Sequence, residues 1–343
     1  MTQKIWKQLP TFAARTYRGG KVMREFLGMG KGDDNFYPED WVSSFTEAKN
    51  RVYVENEGIT RLSTHEGERL ITEVIGAEHF GEGRTDSGVL VKLLDAGERL
   101  GIQVHPTAEY AKEIFNSTYG KTECWYILSG RENENENERA CVYIGFKEHV
   151  TKELWRELFE KQDIEGMLAA MHRFEVAPGD VILVTGGTPH AIGEGCFLIE
   201  IQEPSDYTMR VEKTTLAGEK LTPMQIHYGV GEEKMLNCFD YTPRTEAQTH
   251  AKHFLEHTKG ELGETELVRY SDTHCFALKK VCGGTYTKKE SCFITVVVTE
   301  DGGTLSYDGG IWNLKCGDKF FVSAETEFTL ENACAVLCYP PKK

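Results

Sequence analysis

The 343-residue chain is long enough for two domains and a sizeable buried core. Its 54 acidic residues against 39 basic ones give a net charge of −15, which disfavours nucleic acid and anionic membrane surfaces as partners. No run of roughly 18 apolar residues occurs, and Met1-Thr2-Gln3-Lys4-Ile5-Trp6 opens no signal-peptide core, so a soluble cytoplasmic protein is expected.

In chain order, residues 1–88 carry Gly-Gly punctuation and short alternating segments such as Arg51-Val52-Tyr53-Val54. Strands and loops are expected there, without long helices. Val89 to Leu94 reads as a buried strand leading into another at Gln103, where Gln103 and His105, two apart, share a face. Pro106 and Thr107 open a short helix with Tyr110, Ile114 and Phe115 near one side. Glu123 heads the apolar strand Cys124 to Leu128, which ends at Gly130. Arg131 to Glu138 alternates Glu with Asn and reads as a solvated hairpin tip.

Thr151 caps a helix with Leu154, Trp155, Leu158 and Phe159 at helical spacing, and Ile164 to Met171 adds a second turn, so a helical insertion is expected at about 151–172. Strand character returns from Phe174 to about Gln202, and His190 follows the run Val181 to Val184 and a Gly-Gly turn. His257 to Glu266 is the linker candidate. Beyond Cys275 come short strands between glycine turns, the pattern of a sandwich or jelly roll. The ten cysteines lack a C-x-x-C and mostly lie in apolar runs, so reduced core thiols are expected.

Four residues from these segments, Gln103, His105, Glu123 and His190, can converge on one divalent metal. Two imidazoles, a carboxylate and an amide oxygen suit Zn²⁺, and the same ligand types accommodate Mn²⁺ or Fe²⁺. A single anionic ligand leaves the site net positive, as a Lewis acid requires. After about residue 260 the only histidine is His274, and no segment matches Gly187-x-x-His190. That region is expected to be metal-free, giving one metal per chain.

The motifs also carry a resemblance. Glu123 followed by Gly130, and Gly179, Gly187 and His190 with Thr185 in place of a proline, are similar to the two motifs of the cupin barrels. Ile102-Gln103-Val104-His105-Pro106, Gly120-Lys121-Thr122-Glu123-Cys124-Trp125-Tyr126-Ile127, Gly187-Thr188-Pro189-His190-Ala191 and Ser205-Asp206-Tyr207-Thr208-Met209-Arg210 together resemble the type I mannose-6-phosphate isomerases in their short bacterial form. The resemblance implies an all-β fold of two cupin-type jelly-roll domains with a small helical insertion, divided here as 1–256 (metal-binding) and 257–343.

It further implies that Gln103, His105, Glu123 and His190 ligate zinc, and that Lys121, Glu200 and Arg210 occupy the other active-site positions. The implied reaction interconverts mannose 6-phosphate and fructose 6-phosphate through an enediol(ate), with a sugar phosphate as the small-molecule partner and a monomer or homodimer as the assembly. Glu200 alternates with Ile199 and Ile201 and so faces away from them, toward a polar lumen. Glu200 and Lys121 both qualify as the base, and Arg210 offers the fork that phosphate favours. The chain departs from the family at Arg18, where a tryptophan is usual, and at Val211-Glu212-Lys213, where an aromatic-acidic pair is usual. Both changes are expected at the pocket rim, which keeps open a related sugar or sugar phosphate. An Fe/Mn cupin dioxygenase is the alternative of another class.

Overall fold

A computed structural model describes residues 3–131, 139–260 and 263–342, so all of the expected hairpin tip except Arg131 lies outside the described residues. The fold is all-β, built from antiparallel sheets in two cupin-type jelly rolls. In the first, a six-stranded sheet runs in the order Val181–Val184, Glu123–Gly130, Cys196–Gln202, Leu90–Asp95, Glu39–Val42, Phe12–Ala13. It faces a five-stranded sheet ordered Met171–Glu175, Cys141–Phe146, His190–Ile192, Gln103–Val104, Met209–Arg210.

Alternation along each strand sorts side chains between two cores. Leu94, Ile127 and Leu198 point inward to meet Val142, Ile144 and Ile192 of the opposite sheet. Val91, Leu93, Tyr126, Ile199 and Ile201 point outward, against Leu278, Val297, Phe321 and Val336 of the second unit. Each such side chain contributes about 1.5–3 kcal/mol on full burial, so this contact makes one body of the two units. A buried polar seam crosses it: Lys319 pairs with Asp40, and Ser43 takes hydrogen bonds from Gln8 (2.8 Å) and Thr295 (2.7 Å).

The second unit stacks a nine-stranded sheet on a four-stranded one around Ile294, Val296, Leu305, Phe320 and Phe328. Sheet pairing crosses the division at residue 257, because Ile5–Leu9 pairs with Lys319–Val322 and carries Arg61–Thr64 and Gly67–Leu70 on its other side. The linker expected at 257–266 instead holds Thr258–Lys259 and Thr265–Val268, an antiparallel pair at the edge of that sheet.

Two further expectations are corrected. Arg51 to Val54 forms no strand; it is a loop with Val52 and Tyr53 about 70% exposed, so its alternation reflects no sheet face. Cys282 and Cys334 face each other across adjacent strands and are disulfide-bonded, whereas the other eight cysteines are free and seven of them buried.

The helical insertion is found at Lys152–Lys161 and Ile164–Ala169, capped by Thr151 and Asp163, with Met171 already in the next strand. Trp155, Phe159 and Met167 pack there with Phe146, Met235 and Phe239 over the back of the five-stranded sheet. The helices Pro223–His227 and Glu246–His253, not expected from the sequence, each start at a T-x-x-Q capping box, Thr222/Gln225 and Thr245/Gln248. Among the described residues no helix is long and apolar enough to cross a membrane.

Candidate active site

The four expected ligands meet where the two sheets of the first jelly roll open. His190 lies directly across from Gln103, and Arg210 lies across from Gln103 on the other side, all in the five-stranded sheet. Glu123 reaches in from the six-stranded sheet, flanked by Val184 and Gln202. Gly120 and Gly186 let these segments close: a Cβ at either would come within 2.6–2.9 Å of the Pro106–Ala108 backbone. The loops leading to Lys121 and His190 are thereby pressed against the end of the His105 strand.

His105, Glu123 and His190 are buried, with ligand atoms within 4.8 Å of one another. His105 Nδ1 donates to the Tyr207 carbonyl and His190 Nδ1 to the Thr188 carbonyl, both at 2.8 Å. Each Nε2 therefore presents a lone pair, 3.2 Å and 3.4 Å from the Glu123 oxygens. Burial keeps both rings neutral, lowering His105 to about 3 and His190 in the same direction. For Glu123, burial acts upward, but Lys121, His105 and His190 outweigh it and hold the group well below the usual carboxylate range. Neither buried Glu123 oxygen has a hydrogen bond of good geometry among the described residues. Three electron-pair donors thus converge, an arrangement a divalent cation satisfies. The Gln103 amide nitrogen lies 3.1 Å from His190 Nε2; turning the amide over brings its oxygen to the same point.

The expected catalytic residues surround this centre. Lys121 Nζ sits 3.0 Å from Glu123 Oε2 and 3.1 Å from His105 Nε2. Burial lowers the Lys121 pKa, but Glu123, Glu200 and Asp206 reverse that and raise it. Glu200 is buried and faces the lumen between Trp125 and Lys92, its pKa raised by burial. Arg210 donates through Nη1 to the carbonyls of Gln225 (2.7 Å) and Thr208 (3.3 Å) and lines the same cavity as Gln103, Lys121 and Glu200.

The rim residues lie elsewhere. Arg18 donates to the Asp34 carbonyl and Lys213 pairs with Glu232, and neither lines the cavity. The residues sequence reasoning missed are Lys92, Glu39, Arg15 and Asp206, which form a buried charge cluster in the lumen wall. Lys92 Nζ is 3.2 Å from Glu200 Oε1 and 3.7 Å from Glu39 Oε2, and Arg15 bridges Glu39 (2.8 Å) and Asp206 (3.4 Å). The signal available was Lys92 itself, a charge inside the apolar run Val89 to Leu94.

No protein-family model matches the chain. It is 29% identical over 344 aligned residues to the "Probable mannose-6-phosphate isomerase GmuF" of Bacillus subtilis, covering 99% of this chain and 100% of that protein. The fold is shared by the crystal structure of a mannose 6-phosphate isomerase from Bacillus subtilis, with a TM-score of 0.74, 23% identity and coverage of 98% and 99%. It is also shared by a zinc-bound mannose 6-phosphate isomerase, with a TM-score of 0.74, 14% identity and coverage of 99% and 100%. Motifs, fold and end-to-end sequence likeness agree in making the chain similar to the type I mannose-6-phosphate isomerases.

Proposed function

We propose that the protein is a zinc-dependent mannose-6-phosphate isomerase that interconverts mannose 6-phosphate and fructose 6-phosphate through an enediol(ate). The observation that carries this reading is the buried Glu123 carboxylate, whose two oxygens face imidazole lone pairs at 3.2 and 3.4 Å. The name of the Bacillus subtilis relative, a probable mannose-6-phosphate isomerase, and the zinc in the solved relative support this reading. Gln103, His105, Glu123 and His190 would hold the metal, which when bound supplies Lewis acidity toward the sugar oxygens.

Isomerisation moves a proton from C2 to C1 and another from O2 to O1. Glu200, whose pKa burial raises, removes the C2 proton; the C–H electrons form the C1=C2 bond and negative charge collects on O1. Lys121, beside the ligand cluster, donates to that oxygen as the charge develops. Returning the carried proton to C1, with transfer of the hydroxyl proton from O2 to O1, completes the ketose. Arg210 has no acidic partner among the described residues and fits the phosphate. Gln225, whose carbonyl it holds, lines the neighbouring vestibule together with Arg15 and Thr16.

The test combines metal analysis with a coupled assay on mannose 6-phosphate. Activity should vanish with a chelator and return with zinc. A zinc-loaded enzyme inert toward both hexose phosphates would overturn the substrate, and protein purified and reconstituted without bound metal would overturn the site.

A further inference from the structure

The lumen wall holds two carboxylates on either side of one amine, and their surroundings differ. Glu200 lies directly across from Lys92 in neighbouring strands, while Glu39 lies two residue pairs along on the other flank. Glu39 accepts from Tyr17 Oη, Trp41 Nε1 and Arg15 Nε, each at 2.8 Å. Glu200 Oε1 has no hydrogen bond of good geometry among the described residues and only the Lys92 ammonium at 3.2 Å. The strand bearing Glu39 is also pinned from behind, since its neighbour Asp40 pairs with buried Lys319 and accepts from Thr11 N at 2.6 Å. The Lys92 ammonium further sits over the Trp41 ring, 4.9 Å from its centre.

We propose that Glu39 is a positioning residue: its anchored carboxylate holds Lys92 in place and fixes the positive charge there, leaving Glu200 as the carboxylate that exchanges a proton with the sugar. The role rests on the isomerase reading above. Three neutral or cationic donors and a rigid strand make Glu39 a permanent anion, whereas Glu200 Oε1 has only the Lys92 ammonium beside it and is free to change its charge. The pKa directions agree. Burial acts upward on Glu39, but Arg15, Lys92 and the Trp41 and Tyr17 hydrogen bonds bring it to about 2, whereas burial raises Glu200. The other charged or titratable groups facing this trio are Arg15 and Tyr17, Lys121 and Glu123, Asp206, and Arg210 at the cavity wall.

The experiment compares Glu39→Gln and Glu39→Asp with wild type for zinc content, kcat, KM and the pH profile. Removing the Glu39 charge relieves the repulsion that helps raise Glu200 and withdraws a stabiliser of the Lys92 ammonium. The limb of the profile set by Glu200 should therefore move to lower pH in Glu39→Gln, kcat should fall at least about tenfold, and KM should change little. Glu39→Asp, which keeps the charge, should return that limb toward wild type. A Glu39→Gln profile that coincides with wild type overturns the proposal, whatever the loss of stability. If Glu39→Gln does not fold, Tyr17→Phe removes one anchor at no cost in charge and should lower kcat with KM unchanged; a wild-type kcat then refutes the role. If wild type proves inactive on hexose phosphates, the isomerase reading has failed separately. The clamp is then decided by the crystal structure of Glu39→Gln, in which the Lys92 ammonium must leave its place between residue 39 and Glu200; an unmoved ammonium overturns it.

Discussion

Lys121→Met should separate metal binding from turnover. In the structure the Lys121 ammonium rests 3.0 Å from Glu123 Oε2 and 3.1 Å from His105 Nε2, on the atoms that would ligate the metal. Metal binding must displace it, and methionine keeps the length and apolar volume of the side chain without its charge. A buried hydrogen bond to a charged group is worth about 1.5–3 kcal/mol. At about 1.4 kcal/mol per tenfold, removing this competitor should tighten zinc by about one to two orders of magnitude. The lost donor to the developing oxyanion should lower kcat by about a hundredfold to a thousandfold. Competition against a chromophoric chelator measures the first effect and a coupled isomerase assay the second. Weaker zinc binding in Lys121→Met would refute the competition, and turnover within tenfold of wild type would refute the oxyanion role.

Arg210→Ala should leave zinc content unchanged and lower kcat/KM by about tenfold to a hundredfold, mostly through KM, as expected for one lost charge-assisted contact to phosphate; unchanged kinetics would remove Arg210 from the site. Because folding lowers Glu39 from 4.5 to about 2, its contribution to stability is present above pH 4.5 and is lost as the pH falls from there through about 2. That contribution amounts to about 3 kcal/mol, so urea unfolding of Glu39→Gln over this window should show a correspondingly flatter acid limb. Lys319→Met strands the buried Asp40 carboxylate and should cost about 3–5 kcal/mol by denaturant unfolding, with Asp40→Asn in the same chain recovering most of it; a Lys319→Met protein as stable as wild type would contradict the buried pair.

The segments that bring Gln103, His105, Glu123 and His190 together were legible because local rules govern them. A spacing of two places Gln103 and His105 on one face, and the glycines at 120 and 186 mark close approaches to Pro106 and Thr107. The alternation around Glu200 likewise pointed it inward, where the structure has it. Local rules misled at Arg51 to Val54, whose alternation lacks a partner strand, and at 257–266, where polar composition concealed an edge hairpin. The Cys282–Cys334 bond depends on cross-strand register over a separation of 52 residues, which cysteine spacing does not encode.

From sequence alone came the strands that carry Gln103, Glu123, His190 and Glu200 and the helical insertion, since each depends on side-chain period, turn chemistry and caps acting over a few positions, while the all-β class followed from the resemblance of the motifs. Only the tertiary structure decided that Ile5–Leu9 completes the sheet of the carboxy-terminal region and that Lys319 reaches Asp40. It alone brought Arg15, Glu39, Lys92 and Glu200 into one charge cluster from four separate stretches of chain. The reason is physical: a charge in an apolar strand announces that it needs a partner, but strand order and register choose which partner it meets.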